Sequence, residues 1–95
     1  MLEIVFGNKS AEKVMMAIYR DGELHASAIA KNYQTALDPI KKQLDKFEEA
    51  GFLKSRIVGR SKLYKFNDAH PLVEPLKEII KIAEKNNHEE CRNEI

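Results

Sequence analysis

The apolar positions of this chain change period several times, and those changes mark its elements. Leu2-Glu3-Ile4-Val5-Phe6 is an apolar opening closed by Gly7-Asn8, readable either as a short helix or as a packed arm. Ala11, Val14, Met15 and Ile18 then recur at helical spacing. They predict a helix over 11–20, with Ser10 as its cap and Asp21-Gly22 as its end. Glu23-Leu24-His25 reads as a short extended stretch. Ala26, Ile29, Ala30 and Tyr33 repeat at i, i+3, i+4 and i+7, predicting a second helix over 26–33 and a turn at 34–36.

A third helix follows over 37–50. Thr35 to Asp38 has the form of a capping box, but a cap at Thr35 would set Pro39 at N4 and delete the first intrahelical bond. A cap at Ala36 leaves Pro39 harmlessly in the first turn and is the preferred reading. Ile40, Leu44 and Phe47 share the buried face, while Lys42 points away from them, flanked by Asp38, Asp45, Lys46 and Glu49. Gly51 ends the helix. Two β-prone runs, 52–58 and 61–66, meet at Gly59-Arg60 in the manner of a tight hairpin. After a loop at 67–71, Leu72, Val73, Leu76, Ile79, Ile80 and Ala83 line one side of a last helix over 71–85, and 86–95 reads as a frayed polar tail. The fold class predicted is α+β, mostly helical, with residues 1–85 as one domain.

Composition changes this picture little. A 43% apolar and 33% charged share describes a globular chain, and the longest uncharged apolar run, Val14 to Tyr19, is far short of the ~20 residues of a membrane span. No basic leader or small-residue cleavage site is visible, and the single cysteine, Cys91, forms no internal disulfide. Both readings point to the cytoplasm, with no membrane partner. Charge changes the picture more, because the net +1 is unevenly spread. Residues 1–40 carry −1, residues 41–65 carry +5 and residues 66–95 carry −3. Between Phe52 and Lys65 there are five positive residues and no acid. Such a stripe suits a polyanion, or equally a solvated charged hairpin.

The order helix, strand, helix, turn, longer helix, basic hairpin, helix resembles the winged helix-turn-helix regulators of the arsenical-repressor-like (ArsR-type) group, in particular its metal-independent relatives. Leu24-His25-Ala26-Ser27-Ala28-Ile29-Ala30 looks like that group's second-helix motif L-[ST]-V-S-E-L-A. The stretch from Ile40 to Leu53, with its Glu49-Ala50-Gly51-Phe52 junction, is similar to V-S-R-H-L-K-x-L-x-E-A-G-L-[VI]. Arg56 to Phe66 resembles the wing R-x-x-G-R-x-x-x-Y-x-[LF], and the match runs without a gap from Leu24 to Phe66. His70-Pro71-Leu72 with Leu76 resembles the start of the terminal helix in some prokaryotic relatives.

The resemblance implies a sequence-specific transcriptional regulator of double-stranded DNA, with the 37–50 helix in the ~12 Å major groove and the 52–66 wing on the backbone or in the minor groove. The residues it nominates are Leu37, Asp38, Lys41, Lys42 and Asp45 on the recognition helix, and Arg56, Arg60, Ser61 and Lys62 on the wing. Lys42 suits guanine acceptors or a phosphate, and Asp38 suits cytosine N4. Asp38 and Asp45 repel phosphate unless paired, and Ala36, Leu37 and Pro39 replace the group's hydroxyl-rich helix start. A winged helix serving as a protein–protein interaction module is therefore the alternative. Terminal helices in the group pair across a two-fold axis, which makes Leu72, Val73, Leu76, Ile79, Ile80 and Ala83 a candidate homodimer face; packing on the chain's own first helix is the other use of that face.

No cofactor or metal is predicted. The Cys-x-Cys positions of metal-sensing relatives correspond to His25 and Ser27, a poor soft-metal pair. Asp68 and His70 lie in the loop beside Pro71, and His88 with Cys91 at i, i+3 is a pair of ligand types without a third. His25 stands where a Ser or Thr cap is usual and Ala28 replaces the capping-box acid, so a weaker start to the second helix is expected. The tyrosines and phenylalanines fall at core spacing. No phosphate loop, nucleophile elbow or carboxylate pair suggests an enzyme.

Overall fold

The computed structural model describes the backbone of residues 2–93 and the side chains of residues 4–85. Its elements run α1 (Leu2–Phe6), α2 (Lys9–Asp21), β1 (Glu23–His25), α3 (Ala26–Asn32), α4 (Leu37–Glu49), β2 (Leu53–Val58), β3 (Ser61–Phe66) and α5 (Val73–Asn93). The opening segment is thus a short helix. The strands form one antiparallel sheet in the order β1-β3-β2, so the β2–β3 hairpin is joined to the helices through the three-residue β1. This is the winged-helix fold.

Local chemistry explains most element ends. α2 starts two residues before the predicted position, because Asn8 rather than Ser10 is its cap: the Asn8 Oδ1 accepts from the Ala11 amide at 2.7 Å. α4 begins after Ala36, as the position of Pro39 requires. Both helices of the helix-turn-helix end in the same double bond. Thr35 and Gln34 amides donate to Ala30 and Lys31 carbonyls after α3; Phe52 and Gly51 amides donate to Phe47 and Glu48 carbonyls after α4. The residue at the left-handed position is Gln34 (φ 52°) in the first case and Gly51 (φ 90°) in the second. The hairpin turns at Gly59 (φ 62°), with positive φ at the first central residue only, the type II′ pattern.

The core is built where the predicted stripes meet. Val14, Met15 and Ile18 of α2, Ile29 of α3, Ile40 and Leu44 of α4, and Val73 and Ile80 of α5 are fully buried, and Leu53, Tyr64 and Phe66 close it from the sheet. Burying each large aliphatic contributes about 1.5–3 kcal/mol. Phe6 of α1 meets Phe47 edge-on at 6.1 Å, and Phe47 meets Phe52 at 6.4 Å. Phe52 precedes the wing rather than starting it, and packs against His70 with the ring centres 4.7 Å apart and the planes tilted by 47°.

The terminal helix departs from its predicted bounds of 71–85. Pro71 and Leu72 belong to the preceding turn, in which Val73 donates its amide to the His70 carbonyl. The helix then continues past Lys85 to Asn93, so the backbone of 86–93 is helical rather than a frayed tail; no Gly or Pro follows Pro75 to stop it. Its predicted apolar side also divides. Val73, Ile80 and Ala83 are buried in the chain's own core and Leu76 is half-buried, whereas Leu72, Ile79 and Ile82 are exposed. The cause is the helical wheel: residues seven and ten apart share the face that α2 covers, and Ile79 and Ile82 lie to one side of it.

Candidate nucleic-acid interface

A cleft of about 350 Å³ lies where the start of α3, the start of α4 and the wing converge. His25, Ala26 and Ser27 form one wall, Leu37 and Lys41 a second, and Arg60, Ser61 and Lys62 a third, with Tyr64 among the lining residues. Strand alternation produces the third wall. Lys62, Tyr64 and Phe66 share one face of β3, and the two aromatics are buried, so Lys62 is directed toward α4.

Two helix starts border this cleft, and they are finished differently. The His25 imidazole Nδ1 accepts from the Ala28 amide at 2.9 Å, so His25 caps α3 in the place of the usual hydroxyl. Nδ1 as acceptor puts the ring proton on Nε2 in the neutral form. Ala36 offers no side-chain acceptor to α4, so among the described residues no side-chain cap hydrogen bond engages the start of that helix.

The acid-free wing of the sequence is not acid-free in space. Arg56 donates to Glu23 of β1 through Nε at 2.9 Å and Nη2 at 2.8 Å, a bidentate pair. Lys62 Nζ donates to Glu48 of α4 at 3.1 Å and lies 5.2 Å from the Tyr64 ring centre. The Ser55 hydroxyl donates to the other oxygen of Glu48. The Arg56 and Ser55 hydrogen bonds are the chief reasons that the Glu23 and Glu48 carboxyls are held below the usual range. The same pairs raise Arg56 and Lys62 above theirs. The predicted contacts Arg56 and Lys62 are therefore already engaged.

Asp45 is also placed differently from expectation. It is exposed on α4, but its Oδ1 accepts from the Tyr64 hydroxyl at 3.2 Å, which ties it to the base of the wing. Asp38, Lys41 and Lys42 lie exposed along the outer face of α4, and Arg60 and Ser61 stand exposed at the wing tip. Among the described residues, no ion pair or hydrogen bond engages the side chains of Lys41, Lys42 or Arg60. The predicted site thus separates into free cations and cations held by acids from other elements.

Glu23, Glu48, Tyr64 and His25 belong to this surface although charge counting along the chain did not nominate them. The signal for Lys62 was legible, since alternation with Tyr64 and Phe66 aims it at α4. For Glu23, 33 residues from Arg56 in sequence, there was none. Asp68 and His70 do not come together as a ligand pair. Asp68 binds Lys77 at 2.7 Å, and His70 Nδ1 accepts from the Leu72 amide at 3.1 Å. His88 and Cys91 lie outside the described side chains. Among the described residues no cluster of three or more metal-ligating side chains occurs, and no helix is long and apolar enough to cross a membrane.

No family model matches the sequence, and no curated protein sequence matches it. Solved structures match its fold. The antimony-specific transcriptional repressor AntR superposes with a TM-score of 0.70 at 18% identity, over 93% of this chain and 78% of that one. A protein from Archaeoglobus fulgidus matches with a TM-score of 0.65 at 22% identity, over 88% of this chain and 98% of its own length. A MarR family transcriptional regulator from Silicibacter pomeroyi matches with a TM-score of 0.66 at 16% identity; it covers 92% of this chain, which spans 61% of the regulator. The fold class is that of winged-helix transcriptional regulators.

Proposed function

We propose that this domain binds duplex DNA as a homodimeric, cytoplasmic transcriptional regulator, an ArsR-type relative without a resident metal, rather than acting as an enzyme. The observation that carries the reading is the convergence of Lys41, Arg60 and Lys62 on one cleft beside the uncapped start of α4. That arrangement suits a phosphate at the helix start and an α-helix in the adjoining major groove. Lys41 and Lys42 on α4 and Arg60 at the wing tip are the free cations that would neutralise phosphates or read base edges, with Asp38 available to a cytosine amino group. Structural likeness to named repressors and regulators supports the same reading.

For the dimer, the exposed Leu72, Ile79 and Ile82 are the proposed contact residues, with Ile4 and Val5 of α1 as further exposed apolar positions. Val73, Ile80 and Ala83 hold α5 on its own domain. A two-fold pair that sets its α4 helices ~34 Å apart would match one turn of DNA.

Fluorescence anisotropy with random duplex DNA over a salt series tests the proposal. Binding that falls steeply with salt, and that weakens with Lys41→Ala, Lys42→Ala and Arg60→Ala, is expected. No affinity at low salt would refute it. The protein-docking alternative draws on one observation, that Ile57 and Val58 of the wing are exposed. It predicts a partner that covers the wing and no affinity for DNA.

A further inference from the structure

We infer that Glu48 and Glu23 are built-in competitors for the wing cations, so that the wing meets a polyanion with Lys62 and Arg56 already neutralised. The inference rests on the DNA reading above and adds to it the residues that set how strongly the wing contributes.

Three features of the geometry support this. Each acid comes from an element other than the hairpin, Glu48 from α4 and Glu23 from β1, so the pairs fasten the wing to the body as well as cancelling its charge. Each acid is doubly engaged: Glu48 holds Lys62 with one oxygen and Ser55 with the other, and Glu23 takes both donors of Arg56. Both pairs lie on the surface, the Lys62 and Arg56 side chains being 42% and 64% exposed. Exposed ion pairs of this type are weak, and a phosphate can displace the carboxylate. The displaced carboxylate then faces the bound polyanion and repels it. The net result is a wing whose position is preset and whose phosphate contacts are discounted. Arg60 at the tip, without such an acid, contributes in full.

The consequence is opposite to that of an ordinary contact residue, because removing the acid should tighten binding. Glu48→Gln keeps an acceptor for the Ser55 hydroxyl but removes the charge that holds Lys62. The test compares wild type, Glu48→Gln, Glu23→Gln and Glu84→Gln by anisotropy with one duplex between 50 and 200 mM salt. Glu84 pairs with Arg20 away from the cleft, so its substitution makes the same change in net charge without freeing a wing cation. Glu48→Gln and Glu23→Gln should each bind several-fold tighter at low salt. Each should also steepen the log–log salt slope by about 0.9, an extra loss of about 3.5-fold over that range. Lys62→Ala added to Glu48→Gln should erase the gain. Equal effects of Glu84→Gln and Glu48→Gln, or an unchanged slope in both wing-acid variants, would overturn the inference while leaving DNA binding standing. No binding by any of the four proteins would overturn the DNA reading and this inference with it.

Discussion

The Tyr64 hydroxyl of β3 donates to the Asp45 carboxylate of α4 at 3.2 Å, a hydrogen bond that helps join the two parts of the proposed interface. Tyr64 is buried, and burial is the main reason its phenol is pushed above its ordinary value. Tyr64→Phe keeps the ring packed and removes only the donor. A loss of about 0.5–1.5 kcal/mol is expected, read by urea unfolding. DNA affinity should fall as well, since Asp45 is then an unmasked acid beside the groove.

His25 gives α3 a cap that a hydroxyl or carboxylate could also supply. His25→Ala should destabilise the domain by about 0.5–2 kcal/mol, and His25→Asp should recover most of that. Thermal unfolding of wild type and the two variants checks it; a His25→Ala Tm equal to that of wild type would show that the imidazole contributes no cap.

Gly51 adopts φ 90°, and a Cβ there would stand 3.1 Å from the His70 Cδ2 atom. Gly51→Ala is expected to cost about 1–2 kcal/mol from the left-handed backbone alone. His70→Ala in the same chain should not restore the loss, because the strain is in the backbone and not in the contact.

Acid should weaken the fold. Glu23 is held below its ordinary value chiefly by Arg56, Glu48 chiefly by Ser55, and Asp68 by Lys77. A carboxylate depressed in the folded state adds stability above its unfolded pKa and loses it as pH falls through the folded one. These groups therefore contribute in full at neutral pH, and their contribution falls as pH drops below about 4.5 and 3.8, the unfolded values of Glu and Asp. Unfolding measured from pH 7 down to pH 3 should show this decline, shallower in a Glu23→Gln, Glu48→Gln double variant.

If α5 forms the proposed dimer, Ile79→Glu with Ile82→Glu should yield a folded monomer in analytical ultracentrifugation, because both side chains are solvent-exposed in the single chain. Wild-type chain that sediments as a monomer at the same concentration would remove the dimer from the proposal.

How far the sequence reaches can be judged from particular residues. Apolar spacing located α2, α3 and α4; Pro39 required Ala36 as the α4 cap; Gly59-Arg60 placed the hairpin. These are local rules, set by periodicity and by what one backbone conformation permits, so they act before any tertiary contact forms. The start of α2 was missed because Asn8 and Ser10 are both competent caps, and only the path of the preceding chain chooses between them. The far end of α5 was missed because a polar stretch without Gly or Pro is compatible with either helix or tail.

The division of the wing into free and occupied cations is a different kind of fact. Arg56 and Glu23, Lys62 and Glu48, and Tyr64 and Asp45 are 33, 14 and 19 residues apart in sequence; the first pair exists because β1 and β2 both flank β3, and the other two because the sheet packs against α4. The same holds for α5, where packing against α2 decided that Val73, Ile80 and Ala83 serve the core and Ile79 and Ile82 do not. By itself, then, the sequence determined the elements, their order and the basic wing. Only the tertiary structure decided which charges remain available, since charge along a chain adds by position and charge at a surface cancels by proximity.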